Sequence, residues 1–218
     1  MKIAIDKGQQ AGKHEVKHNW LKENGNELIE LSLPVGDYIE ITEAVQSVID
    51  RRGDKLKKMD FMGVVRVSVD TKKDLQEVVG NIMGSKKKSN GKKTSTHERF
   101  RDECILAQQV GIKLYILVEH GGNIKSLEDV SNWKNPRQFL YERKIRKEFG
   151  IPKDADFQTE VAELKNHGAK IVRGPTTGEE LYKAMVTMQE KYGIEWVFCD
   201  KKVTGAKIIE LLRIDLND

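Results

Sequence analysis

In VSVDTKKDLQEVVGNI, Val67 to Ile82, apolar side chains fall at every second position up to Asp70, and from Leu75 the spacing is helical. A strand that runs almost directly into a helix commits the chain around it to an α/β architecture, since both elements must bury one face against a common sheet. The alternation recurs along the sequence. KIAID (Lys2 to Asp6), ELIELSL (Glu27 to Leu33), the segment from Asp37 in LPVGDYIEI, FMGVVRVSVD (Phe61 to Asp70), IKLYILVE (Ile112 to Glu119), AKIVRG and EWVFCD read as strands. Helical spacing is predicted for His14 to Gly25, Glu43 to Lys58, Leu75 to Met83, and from a Ser95–Glu98 capping box to Val110. Further helices are predicted for Gln138 to Phe149, Thr159 to His167, a segment capped by Thr177 with Glu180, and a last stretch ending near Leu212. The early strands follow one another through short links, which predicts a mixed sheet rather than a purely parallel one. The expected division is a unit over residues 1–135 and an α/β extension over 136–218, packed either separately or into the same domain.

No apolar run approaches the length of a membrane span. The N-terminal MKIAIDKGQQ lacks the apolar block of a signal peptide, so a cytoplasmic location is the expectation. Cys104 and Cys199 each lie in an apolar stretch and are expected as buried, reduced thiols. The net charge of +4 says little alone, but its distribution is uneven. Lys86 to Lys93 (KKKSNGKK), Arg51 to Lys58 (RRGDKLKK) and Glu142 to Phe149 (ERKIRKEF) are basic clusters, each readable as a solvated face or as a phosphate contact.

Period-two alternation puts Val65, Val67, Val69 and Thr71 on one side of the opening strand and Arg66, Ser68, Asp70 and Lys72 on the other. If the strand beginning at Asp37 pairs antiparallel with this one, Asp37 meets Asp70. Two carboxylates so close repel unless a cation lies between them, and an all-oxygen ligand set favours Mg²⁺ or Mn²⁺. The Thr71 backbone carbonyl is a natural further ligand. Lys72 is then placed to hold or deprotonate a water, or to stabilise a pentavalent phosphate. This is the chemistry of metal-dependent phosphodiester hydrolysis, although Asp-x-Lys by itself is common.

These residues resemble the nuclease domain of the XPF family of structure-specific endonucleases. LPVGDYIEI resembles that family's Gly-Asp segment, and VSVDTKKDL its Glu-Arg-Lys segment, with Asp70 for Glu, Thr71 for Arg and Lys72 kept. IAIDKGQQ resembles its first strand, keeping Asp6 but carrying Gly8 and Gln9 for Arg and Glu. HERFRDECILAQQVGIKLYILVEHG resembles the following helix and strand, with Arg99 kept and Glu103 where Gln is usual. Gln76 stands where the family has an acid, with Asp74 and Glu77 as substitutes, and no helix-hairpin-helix repeat is evident. The resemblance covers residues 1–120 and extends to small nucleases of phages and prophages. It implies a restriction-endonuclease-like fold and a Mg²⁺-dependent DNA endonuclease acting on branched or flapped DNA in repair or recombination. Asp37, Asp70 and Lys72 would be catalytic, with Asp37, Asp70 and Thr71 on the metal. Asp6, Arg99 and Glu103 would be auxiliary, and Arg51, Arg52, Lys86, Lys87, Lys88, Lys92 and Lys93 would track phosphates. A homodimer is one assembly open to such a nuclease. The alternatives are a non-catalytic DNA-binding module of the same fold and a Holliday-junction resolvase.

Glu142-Arg143-Lys144 spells the family motif but lies in FLYERKIRKEF, whose spacing is helical. A helix cannot present residues i and i+2 on one face, so this triplet is set aside as a site and kept as a phosphate contact. Arg99 and Glu103, four apart on one helix, read either as a surface ion pair or as cleft residues. His97 and His120 are expected to be partly exposed bystanders. Met185, Met188 and the three tryptophans are expected in the core.

Overall fold

A computed structural model describes residues 1–9, 12–84 and 96–214. Its centre is a six-stranded sheet of β1 (Lys2–Asp6), β2 (Glu27–Leu31), β3 (Tyr38–Glu40), β4 (Val67–Lys72), β5 (Lys113–Glu119) and β6 (Glu195–Cys199). The spatial order is β2-β1-β3-β4-β5-β6. β1 and β2 run parallel, β3 is antiparallel to both β1 and β4, and β4, β5 and β6 are parallel. The mixed α/β sheet expected from the sequence is therefore present, and β6, from the C-terminal part of the chain, completes it.

Helices cover both faces, and the strands distribute their side chains accordingly. Ala4 of β1 and Leu114, Ile116 and Val118 of β5 pack into a core with α2 (Glu43–Arg52), α3 (Leu75–Ile82), α4 (Thr96–Gln109) and α7 (Gly178–Tyr192). Their alternates Ile3, Ile5, Tyr115 and Leu117, with Val69 of β4, pack against Leu21 of α1 (Glu15–Glu23) and Ile208 and Leu211 of α8 (Thr204–Leu212). Because β5 is apolar on both sides, it reads as a continuous hydrophobic run, as a strand covered on both faces must. Cys104 and Cys199 are buried and free, and Trp133, Trp196 and Met185 are buried. No helix among the described residues is long and apolar enough to cross a membrane.

The remaining helices, α5 (Pro136–Phe149) and α6 (Phe157–Asn166), share a small core of their own with their connection, Ile145, Ile151, Phe157 and Val161. Asn135 caps α5 through Arg137 N, Pro136 occupies its first turn, and Gly150 ends it in the left-handed region at φ 70°. Arg146 fixes the connection, donating to the Ala155 carbonyl at 3.1 Å and stacking over Phe157.

Three elements differ from expectation. The strand expected over Phe61 to Asp70 begins only at Val67, because Gly63 at φ 81° and a 3₁₀ turn over Lys58–Phe61 bend the chain first. The helix expected to reach Lys58 stops at Arg52, where Gly53 takes φ 49°. AKIVRG forms no strand: Ile171 packs on the α5–α6 core, Tyr141 Oη donates to the Val172 carbonyl, and Val172 itself is exposed.

The turn into β3 depends on Gly36. It sits at φ 70°, and a Cβ there would collide with Ser68 Oγ and lie 3.2 Å from the Val69 carbonyl. Gly36→Ala is expected to lower unfolding free energy by about 2 kcal/mol or more, combining left-handed strain with the collision. Urea unfolding followed by circular dichroism measures it.

Candidate functional site

The sheet brings one end of four strands to a common edge: the end of β1 at Asp6, the start of β3 at Asp37, the end of β4 at Asp70–Lys72 and the end of β5 at Glu119. The antiparallel pairing proposed from the sequence is present, with Tyr38 opposite Val69 and Asp37 N donating to the Val69 carbonyl at 2.8 Å. A groove of about 740 Å³ opens there, and Asp6, Asp37, Asp70, Thr71, Lys72, Arg99 and Glu103 all line it.

β4 divides its polar side chains between the two faces of the sheet. Asp70 and Lys72 turn towards α4. They form a buried ion pair with each other, and the Lys72 ammonium lies 5.0 Å from the centre of the Phe100 ring. Glu103, one turn further along α4, accepts from Gly36 N at 2.7 Å. It is thereby tied to the turn that carries Asp37 rather than to Arg99, which stays exposed at the groove. The side of β4 opposite the valines is therefore covered too: Ser68 is fully buried and donates to the Val35 carbonyl at 2.8 Å.

Burial pushes the Asp70 carboxyl upward; Lys72 opposes this, and the charges of Glu103 and Asp37 add to it. For Lys72, burial favours loss of the proton, but Asp70, Glu103 and Asp37 more than reverse that, so the amine is held as an ammonium.

Thr71 turns the other way, towards α1. Its backbone N and its hydroxyl both donate to Asp37 Oδ2, at 2.9 and 2.6 Å. Lys17, from α1, donates to Thr71 Oγ1 at 3.3 Å and forms a buried ion pair with Glu119. Glu119–Lys17–Thr71–Asp37 is thus a continuous polar chain linking β5, α1, β4 and the turn before β3. Neither Lys17 nor Glu119 is among the site residues expected from the sequence. Lys17 lies among polar residues in a helical pattern, like a surface lysine. Glu119 did carry a signal: it ends a buried strand in an acid, as Asp70 nearly does.

Asp6 lines the groove, but both its oxygens are engaged by backbone, Oδ2 by Gly8 N at 2.8 Å and Oδ1 by Leu33 N at 2.9 Å. Gln9 also faces the groove and donates to the Asp37 carbonyl at 3.3 Å. Of the substitutes for Gln76, Asp74 caps α3 by accepting from Glu77 N at 2.8 Å, while Glu77 lines the groove. Gln76 is there as well, donating to Asn135 Oδ1 at 2.6 Å.

The basic segments separate. Arg51 lines a hollow beside Lys2, at the start of β1 and so at the opposite end of that strand from Asp6, and Arg52 pairs with Asp60 at 2.5 Å. Lys86, Lys87, Lys88, Lys92 and Lys93 lie outside the described residues. Glu142-Arg143-Lys144 is helical as expected, within α5, and Glu142 pairs with Arg146 at 2.8 Å.

A solved structure of XPF from Aeropyrum pernix in complex with DNA is similar to this chain, with 15% identity and a TM-score of 0.45. The similarity covers 97% of this chain and 63% of that one, so the chain spans less than two thirds of that protein's length. No family model and no curated protein matches the chain. The residues of the groove, and not that likeness, carry the functional reading.

Removing one partner of a buried ion pair leaves the other charge uncompensated. Lys17→Met is therefore expected to cost about 3–5 kcal/mol of stability, and Lys17→Met/Glu119→Gln to recover most of it. Chemical denaturation of the single and double variants tests this coupling.

Proposed function

We propose that the chain is a metal-dependent endonuclease that hydrolyses phosphodiester bonds in DNA, with branched or flapped DNA as its substrate. The observation that carries this reading is the convergence of Asp37, Asp70, Glu103 and Lys72 on one groove at the strand ends. Asp70, Glu103 and Asp37 all act on the buried Lys72 ammonium, a local cluster of carboxylates that a divalent cation would bridge. Among the described residues no three Asp, Glu, His or Cys side chains stand close enough to cage a metal by themselves. A cation would therefore rest on two carboxylates, water and substrate phosphate, which is how Mg²⁺ is commonly held.

Asp37 and Asp70, with the Thr71 carbonyl, would hold Mg²⁺ or Mn²⁺. When bound, the ion would polarise the scissile phosphate and acidify a water. The chain's own groups do the rest. Thr71 fixes the Asp37 carboxylate through two hydrogen bonds, so that its orientation is set before substrate arrives. As the water oxygen bonds to phosphorus and the bond to the leaving sugar oxygen breaks, negative charge accumulates on the non-bridging oxygens. Lys72, kept protonated by its carboxylate neighbours, offsets that charge and acts through it rather than as a base. Arg99, exposed at the rim, offers a contact to a flanking phosphate, and Lys86 to Lys93 is a further candidate for backbone binding.

Cleavage of labelled duplex, flapped and four-way DNA in Mg²⁺, Mn²⁺, Ca²⁺ or EDTA tests the reading. The expected result is cutting of flapped or forked DNA in Mg²⁺ or Mn²⁺ and none in EDTA. Asp70→Asn and Lys72→Met are expected to lower turnover by at least about 100-fold, the effect of losing a principal electrostatic group, measured below the melting temperature of each variant because both break a buried ion pair. Glu142→Ala, outside the groove, is expected to leave turnover unchanged. Binding without cleavage under every condition would replace this reading with the non-catalytic DNA-binding module, and preferential cutting of four-way junctions would make the chain a resolvase.

A further inference from the structure

Helix α5 presents a face with no use inside the fold. Only Ile145 of this helix is buried. Phe139 and Leu140 are 70% and 63% exposed, among the most exposed large apolar side chains of the described residues. At 3.6 residues per turn, Phe139, Arg143, Lys147, Leu140 and Lys144 follow one another around the solvent side, and Arg137 stands at its edge. Arg137, Arg143, Lys144 and Lys147 are all exposed. No acid interrupts this arc. Glu142 lies outside it and is paired with Arg146, which itself is bound to the α5–α6 connection. Arg143, Lys147 and Phe139 also line a shallow groove with Lys153, from that connection, and with Glu142, whose charge Arg146 offsets. Arg137, at the other edge, lines the groove that holds Asp70 and Lys72. The basic face is thus continuous with the candidate active site.

We infer that this face of α5 grips the single-stranded part of a DNA substrate next to the groove, with Phe139 stacking on an unpaired base and Arg143, Lys144 and Lys147 on its phosphates. Unpaired bases combine an apolar face with an anionic backbone, the two properties that exposed aromatic and basic side chains recognise together. Duplex DNA offers phosphates but keeps its base faces stacked, so it leaves Phe139 without a partner. An acidic protein surface would match the charges but gives no reason for the exposed ring. The inference rests on the nuclease reading for the identity of the substrate and adds how a branch would be told from plain duplex.

The test is fluorescence anisotropy of the whole chain in EDTA, with labelled single-stranded, forked and fully duplex DNA. Phe139→Ala is expected to weaken binding to single-stranded and forked DNA by about 5- to 150-fold, the range for losing one base–aromatic stack, while duplex binding stays the same. Arg143→Gln/Lys144→Gln/Lys147→Gln is expected to weaken single-strand binding and flatten its salt dependence by about 2 in log K against log salt. All four positions are exposed, and thermal melts establish that the variants stay folded. Equal losses on duplex and single-stranded DNA, or none on either, would overturn the inference. So would sedimentation showing that the wild type self-associates through a contact abolished by Phe139→Ala, with DNA binding unaltered. The two readings fail separately: cleavage lost in Asp70→Asn with no effect of Phe139→Ala leaves only the nuclease, while a Phe139-dependent grip without cleavage leaves only the single-strand surface.

Discussion

The antiparallel contact between β3 and β4 is short, with Tyr38 opposite Val69 and the Asp37 N–H on the Val69 carbonyl, yet it sets Asp37 against Thr71 beside Asp70 and Lys72. β3 enters the sheet between two strands that run the other way, so its start and their ends meet at one edge. Gly36 makes the approach possible, because its missing Cβ lets the turn lie against Ser68, and its N–H is held by Glu103 at 2.7 Å. Asp37 can then reach Thr71 while Asp70 and Lys72 point to the other face. A wider turn would carry Asp37 off Thr71 and undo both halves of the arrangement.

Placing so many charges at a strand edge is expensive, and the molecule offsets the cost in two ways. The Lys17–Glu119 pair is internally neutral and hydrogen-bonded, so its net contribution to stability is small even though breaking it is costly. The cluster on the other face is not neutral. Asp70 and Glu103 outnumber Lys72, and burial first, then the charges of Glu103 and of nearby Asp37, push the Asp70 carboxyl up against the opposing pull of Lys72. The first set is complete as it stands and serves to orient. The second is left short of positive charge, the condition expected of groups that meet a cation.

Much of this could be read from the residues. Asp37, Asp70 and Lys72 were legible because a strand's period of two and one assumed antiparallel pairing suffice to bring them together. Helical spacing put Glu103 and Arg99 on one face and the family resemblance suggested the groove, but neither could tell that Glu103 would choose a backbone N–H over its neighbour. The triplet 142–144 was separable from the site because its surroundings have the wrong period. Lys17 and Glu119 were not legible, since their meeting depends on α1 crossing the sheet to the end of β5, which no local pattern specifies. The role of Thr71 was missed for a related reason: its side chain bonds across to another strand's carboxylate. AKIVRG misled because β-branched residues favour strands only where a sheet edge is available to them. Gly63 and Gly53 shortened two elements whose apolar pattern continued past them.

The contacts that build the groove join residues far apart along the chain: Asp37 to Thr71 across 34 positions, Lys17 to Thr71 across 54, Gly36 to Glu103 across 67 and Lys17 to Glu119 across 102. Closing such loops costs chain entropy before any contact repays it, and folds dominated by distant pairings form slowly. The groove is therefore a late product of folding. A chain emerging from the ribosome holds Asp37, Asp70 and Lys72 well before it holds Glu119, so the polar chain through Lys17 is complete only once β5 has joined β4.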